Sequence, residues 1–96
     1  MQRDRILEIL RKQGAELRRR GVASLRLFGS VARGDERRDS DVDLLVAFDE
    51  TPTYSEFMQL RIFLEDLLGY EVDLVTESGL RDRVRPYVEE EAIRVA

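Results

Sequence analysis

The chain has 96 residues, of which 43% are hydrophobic and 38% are charged. This length and balance predict one globular domain over residues 1–96, with no apolar run long enough to cross a bilayer. No signal peptide is recognisable, so we expect a cytoplasmic protein. The net charge of -4 argues against a broad nucleic-acid-binding surface, and we expect no direct nucleic-acid binding.

Cysteine and histidine are both absent from the chain. Their absence excludes a disulfide framework, a thiolate or imidazole metal site, and the commonest general base. Any metal ion must therefore be held by oxygen ligands, which favours Mg²⁺ or Mn²⁺.

The N-terminal part predicts a helix followed by a strand. Ile6, Leu10 and Leu17 fall at helical spacing, and Gly21 is placed to end one continuous helix. The segment 24–28 then alternates leucine with arginine, which indicates a half-buried strand.

The middle of the chain predicts a short helical turn over 30–33 and a second strand over 42–48. The second strand is continuously apolar after Asp43, which is typical of a more buried strand. A third helical element follows, with Thr53 as its N-cap and Gly69 as its end.

The C-terminal part predicts a strand over 71–76 in which Asp73 lies on the face opposite Val72 and Leu74. The last segment, through Ile93, predicts helix, which Pro86 breaks or restarts. The alternating order predicts a small α/β domain with a three- to four-stranded mixed sheet packed with helices.

Two short motifs carry the candidate chemistry: a glycine-serine pair and a pair of aspartates. Gly29 and Ser30 follow a strand and open a helical turn, so backbone N–H groups and a hydroxyl could hold a phosphate, although such a pair is also a common turn. Asp41 and Asp43 are two residues apart on a strand, about 6.5 Å between Cα atoms on one face. Their mutual repulsion favours a bound divalent cation, and the alternative is a solvated loop.

Asp73 strengthens the cation hypothesis. If its strand lies beside the strand of Asp43, three carboxylates would surround one pocket and could hold one or two Mg²⁺ ions that bridge the phosphates of a nucleotide. The alternative is a polar residue on the exposed face of an edge strand.

These residues resemble a known signature. Gly29-Ser30, Ala32-Arg33-Gly34 and Ser40-Asp41-Val42-Asp43-Leu44 are similar to the motif of the polymerase-beta-like nucleotidyltransferases, and Asp73 matches the last catalytic carboxylate of that family. The length and motif resemble, more narrowly, the minimal nucleotidyltransferase (MNT) proteins, which are antitoxins encoded with HEPN-domain ribonuclease toxins.

The resemblance implies a Mg²⁺-dependent enzyme that transfers AMP from ATP to a hydroxyl, a tyrosine of a partner HEPN toxin, within a type VII-like toxin–antitoxin pair. It implies that Gly29 and Ser30 hold the triphosphate. The roles of Arg33 and Ser40 in nucleotide binding are less defined: Arg33 could contact phosphate, pair with a nearby acid or have an ordinary helix-end role, and Ser40 could touch the nucleotide or cap the turn before Asp41. The implied metal ligands and catalytic residues are Asp41, Asp43 and Asp73.

Two other functions stay open at this point. The chain could neutralise a toxin by contact alone, or modify a small molecule as aminoglycoside nucleotidyltransferases do. The latter type usually carries a further domain that shapes the acceptor site, for which this chain leaves no residues, so a protein acceptor and a hetero-oligomer with the toxin are favoured. The acidic run over 89–91 predicts a solvated helix face.

Overall fold

The computed structural model describes residues 3–34 and 41–96. In chain order the elements are α1 (Arg3–Arg11), α2 (Gly14–Arg19), β1 (Val22–Phe28), α3 (Gly29–Arg33), β2 (Val42–Phe48), α4 (Tyr54–Leu68), β3 (Val72–Thr76), a 3-10 turn (Glu77–Gly79), α5 (Arg85–Glu91) and β4 (Ile93–Arg94). None of the helices within the described ranges is long and apolar enough to cross a membrane.

The strands form one mixed sheet in the order β3-β2-β1-β4. β1 pairs antiparallel with both β2 and β4, whereas β2 and β3 are parallel. Parallel neighbours need a crossover, and α4 supplies it between β2 and β3. The predicted α/β class with a three- to four-stranded mixed sheet is confirmed.

One face of the sheet carries the main hydrophobic core. Alternate strand residues such as Leu27, Leu44 and Leu74 point to this face, where they pack with apolar residues of α1, α2 and α4. Because side chains alternate between the two faces of a strand, Asp43 and Asp73 lie on the opposite face. The core therefore fixes the face on which the acidic residues stand.

The opposite face is covered by the C-terminal part of the chain. The guanidinium of Arg26 donates to Glu77 Oε1 at 2.6 Å, and that of Arg85 donates to the backbone oxygen of Glu77 at 2.9 Å. Leu45 and Val88 are buried but do not belong to the main core cluster. The 3-10 turn and α5 thus cover part of the face that carries the acidic residues.

Both ends of α4 carry the signals that the sequence predicts. Thr53 and Glu56 form a capping box, in which each side chain accepts a hydrogen bond from the backbone N–H of the other residue. Gly69 ends the helix in the left-handed conformation, at φ 77°. Both ends of α4 are therefore set by local sequence.

The single N-terminal helix predicted as far as Gly21 is wrong, because α1 and α2 are separate helices. Gln13 has φ -99° and ψ 15° and precedes α2, and Gly14, a weak helix former, begins that helix. Leu10 and Leu17 are nevertheless both fully buried, so the apolar spacing holds across the break.

The helix predicted to run through Ile93 is also wrong at its end. α5 starts at Arg85 with Pro86 in its first turn, as the sequence allows, but it stops at Glu91. Ile93 then pairs with Leu27 of β1, because the open edge of β1 offers backbone partners that a lone helical turn lacks.

Candidate active site

The candidate site lies at the edge of the sheet where β1 ends and where β2 and β3 begin. Phe28, the last residue of β1, pairs with Asp43, and Asp43 pairs with Asp73 across the parallel strands. Neighbouring strands are about 4.8 Å apart. The sheet therefore places Asp43 between Asp73 on one side and the start of α3 on the other.

Gly29 is in close contact with Asp43. Its φ of +77° is in the left-handed region, and a Cβ atom added to it would lie 2.0 Å from Oδ2 and 2.9 Å from Cγ of Asp43. Only glycine satisfies both requirements, since it alone has no Cβ and adopts positive φ without strain. The glycine of the Gly-Ser motif thus makes room for the first carboxylate of β2 itself.

Burial and like charges act together on Asp43. Asp43 is half-buried, whereas Asp41 and Asp73 are exposed. The pKa of Asp43 is raised from its ordinary 3.8 to about 6, mainly by burial and then by the charges of Asp73 and Asp41, while Arg33 opposes the rise. The three carboxylates are therefore close enough to repel one another.

The donor set suits Mg²⁺, which prefers carboxylate oxygens and keeps several waters. Within residues 3–34 and 41–96, however, no group of three or more acidic side chains is already converged in a geometry that could hold a metal ion. The backbone brings Asp41, Asp43 and Asp73 to one face, and a shared ion would require their side chains to turn toward one another. The mutual repulsion on Asp43 is the charge that such an ion would neutralise.

A small surface pocket of about 180 Å³ borders two of these acids, Asp41 and Asp73. Phe57 and Arg61 of α4 line its other side. The neighbouring Glu65 accepts a hydrogen bond at 3.0 Å from the backbone N–H of Val72, the residue before Asp73. α4 thus holds the start of β3, a contribution that sequence patterns did not reveal.

Glu91 belongs to the same site, and its prediction as a solvated residue is wrong. Its Oε1 accepts a hydrogen bond from the Gly29 backbone N–H at 3.3 Å, and Nη1 of Arg33 lies 3.2 Å from both carboxylate oxygens. Glu89 and Glu90 are exposed, as predicted. The position of Glu91 just before β4 brings it to the site. Because β4 was not predicted as a strand, this role of Glu91 was not predicted either.

The remaining predicted site residues are placed as follows. Ser30 is half-buried in the first turn of α3, next to Gly29, and Arg33 is at the last position of that helix. Arg33 reaches the site through its ion pair with Glu91. Ser40 lies outside the described residues, so its predicted nucleotide contact stays a prediction.

Comparison with known proteins gives consistent matches over nearly the whole chain. The family model of the nucleotidyltransferase domain matches residues 4–95. Protein adenylyltransferase MntA of Thermococcus cleftensis is 43% identical over 93 residues, which cover 96% of this chain and 94% of that protein. A solved structure described as a minimal nucleotidyltransferase superposes with a TM-score of 0.84 at 44% identity, covering 97% of this chain and 95% of the other.

A more distant structure shares the fold. It is a tri-AMPylated Shewanella oneidensis HEPN toxin in complex with an MNT antitoxin, and the match has a TM-score of 0.67 at 19% identity over 94% of this chain and 71% of the other. The predicted enzyme class and the narrower resemblance to minimal nucleotidyltransferases are confirmed at the level of the family. This chain belongs to the nucleotidyltransferase domain family.

Proposed function

We propose that this protein is a Mg²⁺-dependent protein adenylyltransferase that transfers AMP from ATP to a tyrosine of a partner HEPN toxin and thereby acts as its antitoxin. The observation that carries the proposal is the contact of Gly29 with Asp43, with Asp73 as the register neighbour of Asp43. This contact joins the Gly29-Ser30 turn, to which we assign phosphate binding, to a cluster of carboxylates in a chain of the nucleotidyltransferase domain family.

In this proposal the start of α3 binds the triphosphate of ATP. The backbone N–H of Gly29 and the hydroxyl of Ser30 donate to phosphate oxygens, and the guanidinium of Arg33 adds a positive charge. Ser40, which precedes Asp41, contacts the nucleotide. All of these groups hold the α-phosphorus in position, and positioning with charge neutralisation is the main requirement of phosphoryl transfer.

Asp41, Asp43 and Asp73 would hold the Mg²⁺ ions. When bound, Mg²⁺ neutralises phosphate charge and stabilises the attacking and leaving oxygens of an in-line displacement. In this proposal Asp73 also accepts the proton of the acceptor hydroxyl, and its exposure on the edge strand β3 supports this role. The acceptor oxygen forms a bond to the α-phosphorus, the bond from the α-phosphorus to the β-phosphate bridging oxygen breaks, and pyrophosphate leaves.

A protein acceptor is supported by the names of the relatives. The relative from Thermococcus cleftensis is named a protein adenylyltransferase, and the Shewanella oneidensis HEPN toxin in complex with an MNT antitoxin is AMPylated. The pocket beside Asp41 and Asp73 lies at the surface, so a hydroxyl presented by another protein can approach it. AMP on a tyrosine near a ribonuclease site adds bulk and negative charge, which oppose the entry of an RNA phosphate.

Intact mass spectrometry of a co-expressed HEPN partner tests the proposal. Wild-type protein should add AMP to the partner, in steps of one AMP, and label from α-labelled ATP should enter the partner. Asp43→Asn and Asp41→Asn should each abolish the transfer, because each removes a carboxylate charge from the proposed metal site. Asp49→Asn is the matched control, since Asp49 is an exposed acid just beyond the far end of β2.

Two results would contradict the proposal. Transfer at wild-type levels by both site variants would show that the acids are not the metal site. A partner that is fully inhibited but carries no AMP would show that neutralisation is by contact alone.

A further inference from the structure

Glu91 contacts the two groups of α3 that the proposed function assigns to phosphate. The Gly29 backbone N–H donates to Glu91 Oε1 at 3.3 Å, and Arg33 Nη1 lies 3.2 Å from each carboxylate oxygen of Glu91. A carboxylate in this position has the charge and the paired oxygen acceptors of a phosphate group. It thus stands where an anionic ligand would stand.

The fold brings Glu91 to this position from the far end of the chain. Glu91 is the last residue of α5, and Ala92 links it to Ile93, which pairs with Leu27 near the end of β1. Its side chain is 27% exposed, whereas the two preceding glutamates, Glu89 and Glu90, are exposed. The contact with α3 therefore distinguishes Glu91 from the other members of the acidic run.

We infer that Glu91 competes with the phosphates of ATP for Gly29 and Arg33, so that the nucleotide must displace the Glu91 carboxylate in order to bind. This inference rests on the proposed function, because it assumes that Gly29 and Arg33 bind phosphate and names Glu91 as the second group that occupies them. A backbone N–H is a single donor, so Gly29 cannot serve both anions fully. Two anions held at one guanidinium also repel each other.

The competition makes Glu91 a residue that sets the affinity for the nucleotide. In the absence of ATP, its carboxylate satisfies the Gly29 N–H and neutralises Arg33, which keeps the start of α3 in place. When ATP binds, the Glu91 side chain moves out toward solvent. The cost of breaking its contacts is subtracted from the binding free energy of ATP.

Calorimetric titration of Mg-ATP into wild-type protein and Glu91→Gln tests the inference. Glutamine keeps the shape of the side chain but removes its charge, so ATP should bind about tenfold more tightly to this variant, as expected for the loss of a partly exposed charged hydrogen bond. Glu89→Gln and Glu90→Gln remove the same charge from the same helix without the contact. They are the matched controls and should bind ATP within about twofold of wild type.

A nucleotide-free measurement checks the contact itself. In a nitrogen–proton correlation spectrum, Glu91→Gln should shift the Gly29 amide resonance, whereas the two control variants should leave it in place. Inorganic triphosphate, added to the wild-type protein, should shift the same resonance, because it displaces Glu91 without help from the base or ribose.

The outcomes separate this inference from the proposed function. Equal ATP affinity in wild type and Glu91→Gln, or weaker binding in Glu91→Gln, would overturn the inference while leaving adenylyl transfer intact. Weaker binding would identify Glu91 as a support for the site instead of a competitor. If no variant binds ATP, the proposed function fails, and the inference fails with it.

Discussion

Substitution of Gly29 by alanine is the sharpest test of the site geometry. The new Cβ atom would lie 2.0 Å from Oδ2 and 2.9 Å from Cγ of Asp43, at a residue whose φ is +77°. The positive φ costs alanine about 1 to 2 kcal/mol, and the carboxylate pushed out of its rotamer costs about 1 kcal/mol more. We expect the free energy of unfolding to fall by about 2 to 3 kcal/mol, which lowers the Tm of a chain this size by about 8 to 24 °C.

Gly69→Ala is the matched control for backbone strain. Gly69 has the same φ of +77°, but a Cβ atom there would meet nothing within 4 Å. This variant should therefore lose only the 1 to 2 kcal/mol that belongs to the conformation. The difference between the two variants measures the contact of residue 29 with Asp43.

Thermal and urea unfolding give the free energies of unfolding of Gly29→Ala and Gly69→Ala. A double variant then shows whether the difference between them comes from Asp43. In an Asp43→Ala background, most of the extra cost of Gly29→Ala over Gly69→Ala should disappear, because Oδ2 and Cγ are gone and only the Cβ atom of residue 43, 3.1 Å from the added Cβ, remains. ATP binding by Gly29→Ala should also fall further than that of Gly69→Ala. If Gly29→Ala and Gly69→Ala prove equally destabilising in the wild-type background, the close approach of Gly29 to Asp43 is refuted.

Two further predictions concern charge. Because the pKa of folded Asp43 is about 6 and its ordinary value is 3.8, the folded state binds the proton more tightly, so stability falls as the pH rises from 4 to 7. Asp43 is half exposed, so screening limits this loss to about 1 kcal/mol, and urea unfolding should show that Asp43→Asn removes the loss while Asp49→Asn retains it. ATP should bind more tightly with Mg²⁺ than in EDTA by calorimetry, since repulsion between phosphates and carboxylates is then neutralised; equal affinities would contradict a metal site at these acids.

The parts of the site that sequence reasoning predicted depend on local patterns. The period of two along a strand is enough to place Asp43 and Asp73 on the face opposite Leu44 and Leu74, whatever else the chain does. Thr53 likewise caps α4 through a residue only three positions away. Such features follow from neighbours in the sequence and survive errors elsewhere.

The parts that sequence reasoning missed depend on distant partners. Glu91 accepts its hydrogen bond from Gly29, which is 62 positions earlier in the chain, and no local pattern specifies that contact. Ile93 has an apolar spacing that suits a helix, yet it becomes a strand residue because β1 has an open edge beside it. In both cases a tertiary neighbour determines the local structure or contact and overrides local propensity.

The pairing of β2 with β3 links the proposed catalytic site to correct folding in an all-or-none manner. Asp43 faces Asp73 in the register in which Val72 and Leu74 point into the core. A slip of one residue would drive the Asp73 carboxylate into the core and turn these two apolar side chains to the polar face. A wrongly paired copy would therefore lose the proposed metal ligand Asp73 and its stability at once. If the proposed transfer activity is followed during unfolding, it should report the natively paired fraction, without a contribution from partly active misfolded species.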